Sequence, residues 1–306
     1  MAFKNKLSCK LCGSAKVNSF FRGDDRVLKC NSCNVVFLAP NILSGDLEKY
    51  YSERFAAEKY VSPERLAFLE NNSKELLNIV EKFSSSKRNP ALLDIGSNIG
   101  VFVKEAIKKG YDAVGIEPSK AMFRYATNLG VPMVSSTIEE FNPEKTFDII
   151  TIFHTLEHLA NPIEVLSKLK SVHNQNGFLI LEVPNIESYM AKKDGISWKF
   201  IAYEHIFYFS PETISDILQG LGYKIVSIKR RNNELSIMSI RKLMRYFLGP
   251  YLNRNRFVPK AEFVDVYNQF EARKDNLFKT FVRKILISVI KILGRQDHIL
   301  VVAQKL

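Results

Sequence analysis

The chain predicts an α/β fold built on a parallel sheet, preceded by a small cysteine-rich module. Two observations carry that reading. From Ala91 onward, short apolar runs at Ala91–Ile95, Ala113–Ile116, Pro132–Ser135, Phe147–Phe153 and Gly177–Val183 alternate with helical segments. Such β-α-β alternation implies a parallel sheet covered by helices on both faces. The chain's four cysteines, Cys9, Cys12, Cys30 and Cys33, all precede that region.

The cysteines form two C-x-x-C pairs with 17 residues between them, a spacing that reads as a tetrahedral Zn²⁺ site. Lys10-Leu11 and Asn31-Ser32 fill the two knuckles. Val17–Phe21 and Arg26–Lys29 read as short strands around a turn at Gly23-Asp24. Two disulfides or a dithiol redox centre are the rival readings. Met1–Lys10 does not resemble a secretion signal, which speaks against the first. A redox centre ordinarily uses a single C-x-x-C beside a βαβ unit. Four thiolates leave no open coordination position, so a zinc here holds structure or a docking surface.

After this ribbon comes an aromatic, charged stretch at Asp46–Tyr60, then a helix. Ser62 can cap it, Pro63 suits its first turn, and Leu66, Leu69, Leu76, Leu77, Val80 and Phe83 recur at helical spacing. Ser84–Pro90 breaks the helix. Beyond the alternating region, Ser210-Pro211-Glu212 opens a helix that ends at Gly220 or Gly222. Strands follow at Lys224–Lys229 and Ile299–Gln304.

The most informative stretch is Ala91–Gly100, where a buried strand stops at Asp94 and a glycine-bearing loop turns into a helix starting near Val101. Gly96 lets the backbone turn sharply against a ligand, Gly100 lets the helix pack closely, and Asn98 tolerates a left-handed conformation. Glu117, 21 residues beyond Gly96 at the end of the next strand, stands where a carboxylate can accept both hydroxyls of a ribose. A nicotinamide enzyme could use the same arrangement. Dinucleotide binders normally show G-x-G-x-x-G, however, and Asn98 holds the middle glycine position.

Further motifs make a resemblance specific. Phe147–Pro162 contains H-x-L-E-H-x-x-x-P, Gly177–Asn185 reads as a glycine-led apolar strand ending in Pro-Asn, and Glu204–Ser210 precedes a helix ending L-x-x-x-G-Y. Together these resemble class I S-adenosylmethionine-dependent methyltransferases of the ubiquinone-biosynthesis-like superfamily. With the cysteine module, the chain is most similar to zinc-ribbon methyltransferases of bacterial sugar and glycan pathways. The resemblance spans roughly Cys9 to Arg230 and resumes at the last strand. It implies a Rossmann-like seven-stranded sheet with a final antiparallel hairpin.

The resemblance also implies roles. Asp94, Gly96, Ser97, Asn98 and Gly100 would line the methionine part of S-adenosylmethionine, and Glu117 would hold its ribose. Ile138 and Glu139 would flank the adenine, and His154 with His158 would face the methyl-transfer chamber. Glu204-His205 matches the acid/base pair of the ribbon-bearing sugar C-methyltransferases. Those enzymes are longer, with a second C-terminal domain and a tyrosine segment not matched here. O-methylation is therefore at least as well supported as C-methylation.

Histidine suits removal of an acceptor's proton near neutral pH. His154, His158 and His205 fall at strand carboxyl ends or in the loops that follow, where open α/β sheets bind ligands, whereas His173 and His298 do not. Catalytic roles accordingly fall to His158, Glu204 and His205. Glu157 reads as a helix cap or loop holder. Trp198 and Tyr203 read equally as an acceptor wall or as core.

The net charge of +12 is uneven: residues 241–295 hold 13 Lys or Arg against 4 Asp or Glu. Within this insert, Asn276–Leu293 places Phe278, Phe281, Val282, Ile285, Val289 and Ile292 on one stripe with lysines and arginines elsewhere. Such a helix can lie on a membrane surface or pack on protein. The resulting plan is a zinc ribbon over 1–40, a helical linker or lid over 41–89, the cofactor domain over 90–231 and 296–306, and a basic helical insert over 232–295. The expected partner is a small-molecule or glycan acceptor in the cytoplasm, with peripheral membrane contact through 276–293 left open. The second reading is an RNA methyltransferase using ribbon and basic charge. Against it stand the missing N/D-P-P-Y/F motif and the missing catalytic cysteine. A third reading is a non-catalytic partner subunit.

Overall fold

The computed structural model describes residues 7–40, 61–84, 88–231 and 296–306. The linker stretch at 46–60 and the basic insert at 232–295, with its expected amphipathic helix, lie outside the described residues.

Two sheets organise the rest. The larger contains β4 (Ala91–Ile95), β5 (Asp112–Ile116), β6 (Met133–Val134), β7 (Phe147–Phe153), β8 (His173–Pro184), β10 (Tyr223–Arg231) and β11 (His298–Lys305). Its order is β10-β11-β8-β7-β4-β5-β6. The strands β8, β7, β4, β5 and β6 run parallel, while β11 is antiparallel to both β8 and β10. This is the seven-stranded Rossmann-like sheet with a terminal antiparallel hairpin. Strand bounds match expectation at β4 and β7. β8 reaches back to His173, and β6 shrinks to two residues.

Successive residues of the central strands serve opposite faces, which is why these strands read as unbroken apolar runs. On one face, Leu92, Ile149, Ile180 and Val302 pack with Leu76, Leu77 and Val80 of α1 (Pro63–Ser84). Phe102, Val103 and Ala106 of α2 (Val101–Lys108) and Ala126 of α3 (Lys120–Asn128) join them. On the other face, Leu93, Ile150, Leu179 and Val301 meet Val165, Leu166 and Leu169 of α4 (Pro162–Val172). Ile214 and Leu218 of α6 (Pro211–Gly220) complete that layer. Each such aliphatic side chain contributes roughly 1.5–3 kcal/mol when fully buried. Caps fall where expected: Ser62 Oγ accepts from Arg65 N, and Ser210 Oγ from Thr213 N.

The second sheet is the ribbon: β1 (Val17–Phe21), β2 (Asp24–Cys30) and β3 (Val36–Leu38), all antiparallel. It is not free-standing. β3 pairs with β9 (Phe207–Tyr208), a two-residue strand that directly follows the Glu204–Ile206 stretch of the large domain. Leu38 N also donates to Ile206 O. One ribbon face, with Leu28, Val35 and Phe37, joins the core beneath the large sheet. The other, with Val27, Val36 and Leu38, packs on Ile186, Met190, Trp198 and Tyr208, around α5 (Tyr189–Asp194). Trp198 is buried in that cluster, so of its two readings the structure favours core packing.

Candidate functional site

The chain leaves β4 toward β5 on one side, then returns through β7 to pair on the other side of β4. That reversal opens a crevice at the carboxyl ends of β4 and β7, the place where open α/β sheets bind ligands. The loop from Gly96 to Gly100 sits there. Gly96, Asn98 and Gly100 have φ of +73°, +53° and +72°. A Cβ on Gly96 would come within 2.2 Å of Thr155 Oγ1, so the neighbouring loop, and not only a ligand, demands glycine. A Cβ on Gly100 would meet Val131 and Ala126, so this glycine serves close packing against α3 and the edge of the sheet.

Carboxylates frame the loop. Asp94 is buried, accepts from Thr151 Oγ1 at 2.6 Å, and is pushed up to about 7 by burial. Ser97 Oγ donates to the Asp94 carbonyl. Glu117 accepts from Asn98 N on one oxygen and from Ser119 N on the other, each at 2.8 Å. Burial raises its pKa, while those two amides pull it down. The loop and the end of β5 are thus tied together through one carboxylate whose remaining lone pairs suit two adjacent hydroxyls. Ile138 is buried in the turn after β6, and Glu139 beside it is exposed.

A second edge of the crevice is built by the segment after β7. His154 takes the left-handed φ of +52° and places Nε2 2.9 Å from Glu182 Oε1 and Nδ1 3.6 Å from Glu157 Oε1. Burial opposes its charge, but contact with those two carboxylates prevails and raises it to about 10. A short 3₁₀ turn at Leu156–His158 then carries Glu157 and His158. Glu157 is buried, and of its two readings the backbone fits the loop holder, since its carbonyl accepts from Ile206 N while Asn161 stands at the start of the next helix. His158 Nδ1 bonds the Glu204 carbonyl at 2.9 Å, and its ring stands 4.6 Å from that of His205. His205 is buried, and desolvation pushes it down to about 4. Glu204 is buried beside it. The structure therefore brings His154, Glu157, His158, Glu204 and His205 to one edge.

Two residues join this edge without having been expected there. His298 opens β11, and because β11 is antiparallel its first residue lies opposite Pro184, at the carboxyl end of β8. Its ring is 5.0 Å from that of His154, and burial pushes it down to about 3. Arg231, at the end of β10, reaches Glu182 at 3.0 Å and Glu75 of α1 at 2.9 Å. The antiparallel pairing implied for the final hairpin was the one available signal. His173 lies at the opposite edge against Tyr223, as expected of a residue outside the site.

The cysteine module gathers its four Sγ atoms within 4.8 Å of one another, with Cys9–Cys33 and Cys12–Cys30 each at 3.6 Å and all four thiols free. A tetrahedron of Zn–S bonds of about 2.3 Å has edges of about 3.8 Å. Leu11 N and Ser32 N donate to Cys9 and Cys30 sulfur, a bond that favours thiolate. The donor set fits zinc.

A methyltransferase-domain family model matches residues 68–228, just over half of the chain. Among curated proteins, the ubiquinone biosynthesis O-methyltransferase of Aliivibrio fischeri (strain MJ11) is 29% identical over 125 residues, 37% of this chain and 53% of that protein. An uncharacterized methyltransferase of Alkaliphilus oremlandii (strain OhILAs) is 28% identical over 168 residues, 51% and 77% respectively. The chain spans about half the length of the first of these relatives. Among solved structures, a SAM-dependent methyltransferase from Archaeoglobus fulgidus aligns with TM-score 0.50 at 20% identity, covering 85% of this chain and all of that one. Haemonchus contortus phosphoethanolamine N-methyltransferase 2, solved with S-adenosyl-L-methionine, gives 0.52 at 15% identity, covering 86% and 60%. These two likenesses speak for the fold alone. The matched span holds the glycine loop, both framing carboxylates, His154, His158 and His205, and the chain belongs to this methyltransferase-domain family.

Proposed function

We propose that the protein transfers a methyl group from S-adenosylmethionine to a hydroxyl of a small polar acceptor, a sugar or glycan. The observation that carries this is the placement of Asp94, Asn98 and Glu117 at the reversal point of the sheet, with the histidine edge beside them. Asp94, Gly96, Ser97, Asn98 and Gly100 would hold the amino-acid end of the cofactor, where the Asp94 carboxyl faces a need for positive charge. Glu117 would accept the ribose hydroxyls, and Ile138 and Glu139 would flank the adenine.

The cofactor supplies a methyl already activated on a sulfonium, so this chain's task is to align the acceptor and dispose of its proton. His154 would form the chamber wall, and His158, Glu204 and His205 would activate the acceptor oxygen. The ribbon, with zinc on its four cysteines, would brace the His205 segment through β9. The domain plan over 1–40, 41–89, 90–231 with 296–306, and 232–295 belongs to the same proposal. So does a cytoplasmic site of action, with the 276–293 segment either packing on protein or touching a membrane surface. Among the described residues, no helix is long and apolar enough to cross a membrane.

Calorimetric titration with S-adenosylmethionine and S-adenosylhomocysteine is the test. Saturable binding that Glu117→Ala weakens at least ten-fold is expected. Absence of binding to zinc-replete protein would end the proposal. An acceptor screen across nucleotide sugars, lipid-linked glycans and RNA then follows. The RNA arm rests on the ribbon and the basic segment together.

A further inference from the structure

The turn that follows α5 buries Trp198 and leaves Phe200 half-buried at the histidine edge. Among the described residues, three aromatic rings stand around Phe200. Trp198 and His298 each lie 5.1 Å away between centroids, and His205 lies 6.2 Å away. Each of the three carries a buried nitrogen without a hydrogen-bond partner: Trp198 Nε1, His298 Nδ1 and His205 Nδ1. Trp198 and His298 are 1% exposed and His205 is 8% exposed. Buried polar groups are paired in the great majority of cases, and leaving one unpaired is costly. Three such nitrogens around one phenyl ring mark a place where a ligand supplies the missing partners.

The chemistry of these groups selects the ligand. Burial, with the charges of His154 and Lys199 nearby, holds His298 neutral, and burial does the same for His205. A neutral imidazole offers one donor and one acceptor, and an indole offers one donor. That set suits hydroxyls better than phosphates or carboxylates. Phe200 adds an apolar face. Lys199 Nζ lies 4.5 Å over its ring, but Lys199 is exposed, and a cation–π contact in water is weak enough for a ligand to displace. An apolar face ringed by a few neutral donors and acceptors matches a cyclic polyol, which has C–H bonds on its face and hydroxyls around its rim.

We propose that Phe200, His298 and His205, backed by Trp198, form the acceptor subsite and take a neutral pyranose, its apolar face on Phe200 and its hydroxyls on the two imidazoles. One hydroxyl then lies at His205, the residue assigned above to activating the acceptor oxygen, while His298 holds a neighbouring one. His298 stands between His154, whose side chain is 32% exposed, and half-buried Phe200, so a hydroxyl entering between those rings meets it. The binding stands by itself, whereas the use of the subsite for methylation rests on the methyl-transfer reading.

Trp198 is the chain's only tryptophan, so its emission reports on the subsite directly. Full-length, zinc-replete protein is titrated with the methyl glycosides of glucose, galactose, mannose and rhamnose. At least one should give a saturable change in emission. Phe200→Ala should weaken that response about ten-fold, and Phe200→Tyr should retain it. His298→Phe keeps the ring contacts and removes the unpaired nitrogen. It should weaken binding about ten-fold while leaving the thermal midpoint unchanged or higher. Silence across the four glycosides, an equal response to acyclic sorbitol, or binding that Phe200→Ala keeps overturns the proposal. So does a His298→Phe protein that binds like the wild type or unfolds at lower temperature. S-adenosylmethionine calorimetry on the same samples separates the two readings. Cofactor binding without a sugar response sinks the subsite alone, and a sugar response without cofactor binding sinks the methyl-transfer reading alone.

Discussion

Asp94 shows how far a single side chain can be taken. Burial raises its carboxyl to about 7, against the pull of Thr151 and Ser97. A cation docked beside it favours the ionised form, so ligand binding below that pH must expel a proton. S-adenosylmethionine affinity should therefore weaken as pH falls from about 8 to about 6, approaching a ten-fold loss per unit below the pKa. Asp94→Asn should bind weakly with a flat profile, and calorimetry across that range checks both. The sign reverses for the ligand-free fold. A carboxyl raised on folding contributes stability below its unfolded value that is lost as pH rises through about 7. Some of this was legible in the residues. Asn98 was expected to tolerate a left-handed backbone and has φ of +53°, because few side chains but asparagine's fit there. His298 was set aside for lying at the start of a strand. Only the antiparallel direction of β11 carries that start to the carboxyl edge.

At the scale of elements, Arg231 links three of them. From the end of β10 it reaches Glu182 on β8 at 3.0 Å and Glu75 on α1 at 2.9 Å, with its side chain 14% exposed. Arg231→Leu takes from buried Glu182 one of its charged contacts, and breaking one partner of such a pair costs about 3–5 kcal/mol. Chemical denaturation should show a loss of that order. A change under about 1 kcal/mol would mean that the contacts Glu182 keeps, His154 among them, suffice to neutralise it. Elements buried on both faces were readable, since β4 and β7 announce themselves as apolar runs. β9 was not. Two residues cannot set a period, and its pairing partner, β3, lies near the other end of the described chain.

For the molecule as a whole, the ribbon and the large domain share a core, with Leu28, Val35 and Phe37 in the same cluster as Leu93 and Ile150. Strong chelation should abolish methyl transfer while S-adenosylmethionine affinity changes less than about three-fold, because the ribbon's strand pairing is with β9 beside His205 and not with the strands that carry the Gly96–Gly100 loop. Equal loss of both would show that the module supports the entire sheet. The cysteine spacing made the ribbon legible. Its attachment was not, since nothing in C-x-x-C reports what the module packs against. The β3–β9 pairing makes this attachment a matter of supply as well as shape. With the zinc proposed for the four cysteines, the segment carrying His205 would be braced by a strand whose own order depends on a metal drawn from the cell's pool. Scarcity of that nutrient would leave a chain that still holds its methyl donor but no longer modifies anything, an enzyme silenced by diet rather than by an inhibitor.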